Sequence, residues 1–135
     1  MAIASYNKAL AIKPDYHEIY FSKGLILQNE EYSKYNIDDA FASFEKVIQL
    51  KPDYADAYYG KANLLQNKKF KSFNVSEALV CYNKAIELRE DFAEAYYGKA
   101  NLYSDDKTEF YNPEEAKKYY EKAMKLKPNE AIYYS

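Results

Sequence analysis

The sequence predicts an all-α chain of antiparallel helical hairpins stacked on one another, and three features predict it. Glycine and proline are scarce, at three and four in 135 residues, so little of the chain can be turn. The chain repeats every 38 residues: Pro14-Asp15, Pro52-Asp53, Glu90-Asp91 and Pro128-Asn129 stand at that spacing, and the segment from Tyr58 to Leu64 recurs unchanged from Tyr96 to Leu102. Within each period apolar residues fall three and four apart, which gathers them on one helical face.

A fixed period of this length marks an array in which each unit buries its apolar face against its neighbours. The single array spans 1–135. It divides into 1–15, the second helix of a partial unit, then units 16–53, 54–91 and 92–129, and finally 130–135, the start of a further unit. In the middle unit the first helix opens near Tyr54 and carries Ala55, Tyr58, Ala62 and Leu65. Its second helix carries Ala78, Tyr82, Ala85 and Leu88. Small alanines let the two helices approach closely, and Tyr82 fills the space beside them.

The boundaries have local chemical causes. Second helices should start after Asn36, Asn74 and Asn112, because an Asn side chain accepts a bond from an otherwise orphaned N–H of the first turn. Pro113 stands at the first helical position, where its missing N–H costs nothing. Glu77 and Glu115 have capping-box spacing. Lys51, Arg89 and Lys127 end the second helices and suit the negative end of the helix dipole. Pro14, Pro52 and Pro128 then prevent continuation.

Composition narrows the function. Lys and Arg total 19 against 21 Asp and Glu, a net charge of −2, so no basic stripe invites nucleic acid. Apolar runs such as Leu25-Ile26-Leu27 are too short to span a membrane. The N-terminus has no signal-peptide pattern. Cys81, the only cysteine, has no disulfide partner in the chain, which fits a reducing, cytoplasmic setting. His17, the only histidine, lacks the company a metal or nucleophilic site needs and is read as a surface residue. The acid pairs Glu30-Glu31, Asp38-Asp39, Asp105-Asp106 and Glu114-Glu115 lie near helix ends, where solvation and the dipole explain them. Lys68-Lys69-Phe70-Lys71 is read as a solvated turn in preference to a patch that touches RNA or an acidic partner. The sequence offers no catalytic residue, no metal ligand set and no Gly-rich phosphate loop, so neither an enzyme nor a cofactor is expected.

The motifs resemble the tetratricopeptide repeat. A large aromatic, a small residue four later and a large one three after that occur as Tyr20-Gly24-Leu27, Tyr58-Ala62-Leu65 and Tyr96-Ala100-Tyr103. The second-helix pattern of Ala, an aromatic four later and Pro eight beyond occurs as Ala2-Tyr6-Pro14, Ala40-Phe44-Pro52 and Ala116-Tyr120-Pro128, while Ala78-Tyr82 ends in Glu90. There are two departures. The family's unit has 34 residues and this one has 38. The four extra lie between the helices, as either longer helices or a loop, and a loop plugged by Tyr32, Tyr35, Phe70, Phe73, Phe110 and Tyr111 is favoured. Lys23, Lys61 and Lys99 also stand where Leu is common, and a Lys stem can cover apolar surface.

The resemblance implies a right-handed superhelical solenoid whose first helices line a concave groove, and a role in binding protein. Its groove positions are Glu18, Phe21, Ser22, Leu25 and Gln28; Asp56, Tyr59, Gly60, Asn63 and Gln66; and Glu94, Tyr97, Gly98 and Asn101. In one reading Asn63 and Asn101 hold a peptide backbone, the rings grip side chains, the glycines leave room, and the acids favour a neutral or basic ligand over an acidic one. In the other, the rings simply pack between helices. The family's carboxylate clamp for acidic chaperone tails needs Lys, Arg and Asn where this chain has Phe21, Leu25, Gly60, Glu94 and Gly98. The alternative role is a structural or self-association module. The chain, read as a piece of a longer protein or one that stacks on a second copy, would then act through its ends, with Ala131, Ile132, Tyr133 and Tyr134 as the adhesive segment.

Overall fold

The computed structural model describes residues 2–127. Over that span the chain forms seven helices and no strand: α1 (Ala2–Ile12), α2 (His17–Leu27), α3 (Ile37–Leu50), α4 (Ala55–Leu65), α5 (Val75–Leu88), α6 (Ala93–Ser104) and α7 (Pro113–Leu126). Helix α2 packs on α3, α4 on α5 and α6 on α7, making three hairpins. These are joined by contacts of α3 with α4 and α5 with α6, while α1 rests on α2. The result is an all-α repeat solenoid. Residues 128–135, with Pro128 and the adhesive segment Ala131, Ile132, Tyr133 and Tyr134, lie outside the described residues.

The second helices start as their caps require. The side chains of Asn36, Asn74 and Asn112 accept from the backbone N–H of Asp39, Glu77 and Glu115, and Pro113 opens α7. First helices start instead on a ring: Tyr16, Tyr54 and Phe92 are their N-cap residues, and none caps with its side chain. Lys51, Arg89 and Lys127 are the C-cap residues of the second helices.

The four additional residues form a loop, built alike three times. The side chains of Asn29, Asn67 and Asp105 accept from the backbone N–H two residues on, a turn these residue types favour. The loop then closes on the preceding helix, Asn36 N–H donating to Leu27, Asn74 to Leu65 and Asn112 to Tyr103. Phe70 is buried at the end of its hairpin and packs on Phe41 of the preceding one. Phe73 and Tyr111 are exposed, so only part of the aromatic set acts as a plug. Cations of the middle loop bridge to both neighbours: Lys69 to Glu30, Lys71 to Asp38 and Lys68 to Asp105, at 3.3, 3.6 and 3.3 Å. The Lys68–Lys71 turn is therefore paired as well as solvated.

One large ring from each of α3 and α5 holds consecutive hairpins together. Phe44 and Tyr82 are fully buried. Phe44 lies against Gly24 of its own hairpin and Gly60 of the next, and Tyr82 lies against Gly98 of the next. Alanines 40, 62, 78, 85 and 100 complete the close approach. The Lys61 ammonium lies over the Phe41 ring at 5.5 Å and that of Lys99 over Tyr119 at 4.3 Å.

Candidate peptide-binding groove

Helices α2, α4 and α6 sit side by side and create one concave cleft. It has a volume of about 270 Å³ and is lined by Phe21, Leu25, Gln28, Asp56, Tyr59, Gly60, Asn63, Phe92 and Glu94. Seven of the twelve side chains the sequence nominates, Phe21, Leu25, Gln28, Asp56, Tyr59, Asn63 and Glu94, meet there. Glu18, Ser22, Gln66, Tyr97 and Asn101 do not line it. Phe92 does, and sequence reasoning missed it; its equivalence to Tyr16 and Tyr54, at the period of 38, was the available signal.

The groove rings belong to the framework as well as to the surface. Phe21 packs on Phe44 and Tyr54, with centroids 5.7 and 5.2 Å apart; Tyr59 packs on Tyr82 and Phe92 at 6.2 and 5.1 Å; Tyr97 packs on Tyr120 at 5.4 Å. Burial raises the Tyr59 phenol above its ordinary value, so this ring is neutral at physiological pH. Leu25 is the exposed apolar group of the set, at 44%.

The amides are bonded to tyrosines of the second helices. Asn63 accepts from the Tyr82 hydroxyl at 2.5 Å, Gln66 donates to the same hydroxyl at 3.2 Å, and Asn101 accepts from Tyr120. An amide keeps further donors and lone pairs after one such bond, so a ligand would meet what remains. The glycines abut rings of the same helices: a Cβ at Gly60 or Gly98 would stand 2.8 Å from Phe44 or 2.5 Å from Tyr82. Their missing side chains make room for these core rings, and Gly60 also lines the cleft.

The acid ladder carries its own counter-ions. Asp56 pairs with Arg89 at 2.5 Å and Glu94 with Lys127 at 3.1 Å, the same 33-residue offset one period apart. The equivalent Glu18 lies 3.1 Å from His17, while Lys51 turns to Asp53. Arg89 and Lys127 thus reach groove acids besides ending their helices. His17 stacks edge-on against Tyr54. Cys81 is buried, and burial pushes its thiol up to about 11, far from the thiolate a nucleophile needs. The described residues contain no metal-ligand cluster, and none of their helices is long and apolar enough to cross a membrane.

Stacked helical hairpins with a shared concave cleft define a repeat scaffold. Two family models match: one described as TPR repeat at residues 1–30 and 74–106, the other as tetratricopeptide repeat at 93–130. The chain belongs to the tetratricopeptide repeat family, whose fold serves protein–protein interaction and whose members are typically not catalytic. Among solved structures it is similar to MamA, with 26% identity over 98% of this chain and 70% of that one and a TM-score of 0.73. It shares its fold with the first TPR of Spaghetti (RPAP3) bound to the HSP90 peptide SRMEEVD, at 21% identity, 87% and 84% coverage and a TM-score of 0.68. No curated protein sequence matches the chain significantly.

Proposed function

We propose that this array binds an extended segment of a protein partner in the cleft between α2, α4 and α6, and that the segment carries an apolar anchor with neutral or basic neighbours. The supporting observation is the cleft itself, where exposed Leu25 and the rings of Phe21, Tyr59 and Phe92 stand beside the carboxylates of Asp56 and Glu94. An apolar floor with a polar edge suits an anchored peptide. The residual charge of the acid ladder disfavours an acidic ligand, even though Arg89 and Lys127 offset part of it. The peptide in the Spaghetti complex carries the acids of its printed sequence. At the positions where a clamp for such acids would lie, this chain has Phe21, Leu25, Gly60, Glu94 and Gly98.

The test is selection from a random peptide library with the wild-type protein and with Leu25→Arg, which blocks the cleft at an exposed position. Enrichment of apolar and basic peptides by the wild type, lost in the variant at unchanged helicity, is the expected result. Equal enrichment by both proteins, or selection of acidic peptides through the cleft, would sink the proposal.

A further inference from the structure

In an array that repeats at 38 residues, a place where one unit departs from the others stands out against its own internal control. Helix α7 holds such a place on the side of the hairpin away from the groove. Lys118, Tyr119 and Lys125 stand where the first unit has Ala42, Ser43 and Gln49, and where the second has Val80, Cys81 and Glu87. Two of the exchanges add a cation and the third adds a ring.

Lys118, Tyr119 and Lys125 line a cleft of about 440 Å³ together with Tyr96, Glu121 and Lys122. The first unit has a cleft of the same volume at the equivalent place, lined there by Tyr20, Ala42, Ser43 and Lys46 among others, so the exchanges alter the lining rather than the space. Two of the lining residues are stacked rings, Tyr96 and Tyr119, with centroids 6.1 Å apart and planes at 22°; Tyr103, outside the lining, also stacks with Tyr119 at 5.8 Å and 15°. Ammonium groups crowd the rings: Lys99 lies 4.3 Å and Lys118 5.4 Å from the Tyr119 centroid, and Lys122 lies 5.9 Å from that of Tyr96. Among the described residues Lys99, Lys118, Lys122 and Lys125 make no ion pair, in contrast to Lys61 and Lys84 of the preceding hairpin, which pair with Glu45 and Glu87 at 3.6 Å. Glu121 is the single acid in the lining.

A helix at the edge of an array gains solubility from a polar face, but charges of either sign serve that purpose. Here the added charges are of one sign and are gathered over aromatic faces. We infer that this cleft is a second docking site, for an acidic segment of a partner protein whose carboxylates replace the missing counter-ions of Lys99, Lys118, Lys122 and Lys125. Nucleic acid fits less well. A base needs a free aromatic face to stack on, and Tyr119 already stacks with Tyr96 and Tyr103 and has the Lys99 ammonium over its ring at 4.3 Å. The site is independent of the groove: Tyr97 and Asn101 turn to Tyr120, whereas Tyr96 turns to Tyr119.

The experiment measures binding of a fluorescent twelve-residue peptide of alternating Glu and Ser, at low and at physiological ionic strength, to the full chain. A single-stranded oligothymidylate of similar charge is measured beside it. Lys118→Ala with Lys125→Gln, which restores the residues of the first unit, is compared with Lys8→Ala with Lys34→Ala, which removes the same charge elsewhere. Leu25→Arg serves as the groove-blocked control. The expected outcome is salt-sensitive peptide binding, weakened about tenfold in the first variant and kept in the other two, all with wild-type helicity. No peptide binding at low salt, an equal loss in both lysine-removal variants, loss in Leu25→Arg, or tighter binding of the oligonucleotide would each overturn it.

Discussion

The hydroxyl of Tyr82 donates to Oδ1 of Asn63, 19 residues earlier in the chain, at 2.5 Å. The ring of Tyr82 is fully buried, so this bond satisfies the proton of a hydroxyl that has left water. The first hairpin handles the same place differently: Phe44 replaces Tyr82, and Leu25 replaces Asn63. The first hairpin thus has a ring with no hydroxyl to satisfy, and the counterpart of Asn63 there is an exposed leucine. Removing Asn63 alone should take away the acceptor of the hydroxyl proton and leave only the bond from Gln66. Asn63→Ala is expected to lower stability by about 1–3 kcal/mol, and Asn63→Leu combined with Tyr82→Phe to recover most of it. Asn101→Ala should cost less, since Tyr120 bonds it at an exposed site. A double-mutant cycle by urea unfolding measures the coupling, and additive effects of Asn63 and Tyr82 would refute it.

The same pair shows what could be read without coordinates. Helix starts were legible because the chemistry is local: Asn36, Asn74 and Asn112 reach a backbone N–H three residues away. The core rings were legible because the spacing of three and four places them. The loop between the helices was legible as a loop bearing aromatics, but its closure, which joins Asn36 to Leu27 across the turn, was not. The bond of Asn63 to Tyr82 was hidden in a contact between helices, although Leu25 with Phe44 against Asn63 with Tyr82 was a written clue. What fills the space at Gly60 and Gly98 was hidden for the same reason: those atoms belong to the preceding second helix.

Gly98→Ala sets two effects against each other. Alanine favours a helix over glycine by about 1 kcal/mol. The new Cβ would stand 2.5 Å from Cε1 of Tyr82, and Tyr82 is held by its hydroxyl to Asn63 and Gln66. Its ring cannot yield without losing these bonds, so overpacking of about 1–3 kcal/mol should win. Gly60→Ala meets Phe44 at 2.8 Å, and Phe44 has no hydroxyl to anchor it. Its loss should be smaller. Chemical unfolding of both variants gives the order, and a stabilised Gly98→Ala would show that Tyr82 moves freely.

Burial raises the Cys81 thiol from 9.0 to about 11 and raises the Tyr82 phenol above its usual range. Both groups are neutral when protonated, so the folded state holds their protons more tightly than the unfolded chain does. Their contribution to stability is complete below pH 9 and is lost as pH rises. For Cys81 the loss should fall between pH 9 and 11 and amount to roughly 2 kcal/mol. The urea midpoint of the wild type should drop across that window, and Cys81→Ala should drop less. At pH 8 a thiol reagent should label the native protein slowly and the urea-unfolded protein at once; fast native labelling would contradict the burial.

Arg89 tests whether the charge of the groove governs its ligand. Its guanidinium pairs with Asp56 and lies 3.9 Å over the ring of Phe92, and both of these partners line the cleft. Arg89→Ala removes the counter-ion and leaves the Asp56 carboxylate facing the ligand. Both side chains of the pair are 42% exposed, so screening keeps the stability cost under about 1 kcal/mol. A basic peptide recovered from the library should bind the variant about two- to fivefold more tightly at low ionic strength, with a steeper salt dependence. A neutral peptide should change little. Weaker binding of the basic peptide would mean that Arg89 or its hold on Phe92 builds the ligand-binding surface directly, and that charge alone does not select the ligand.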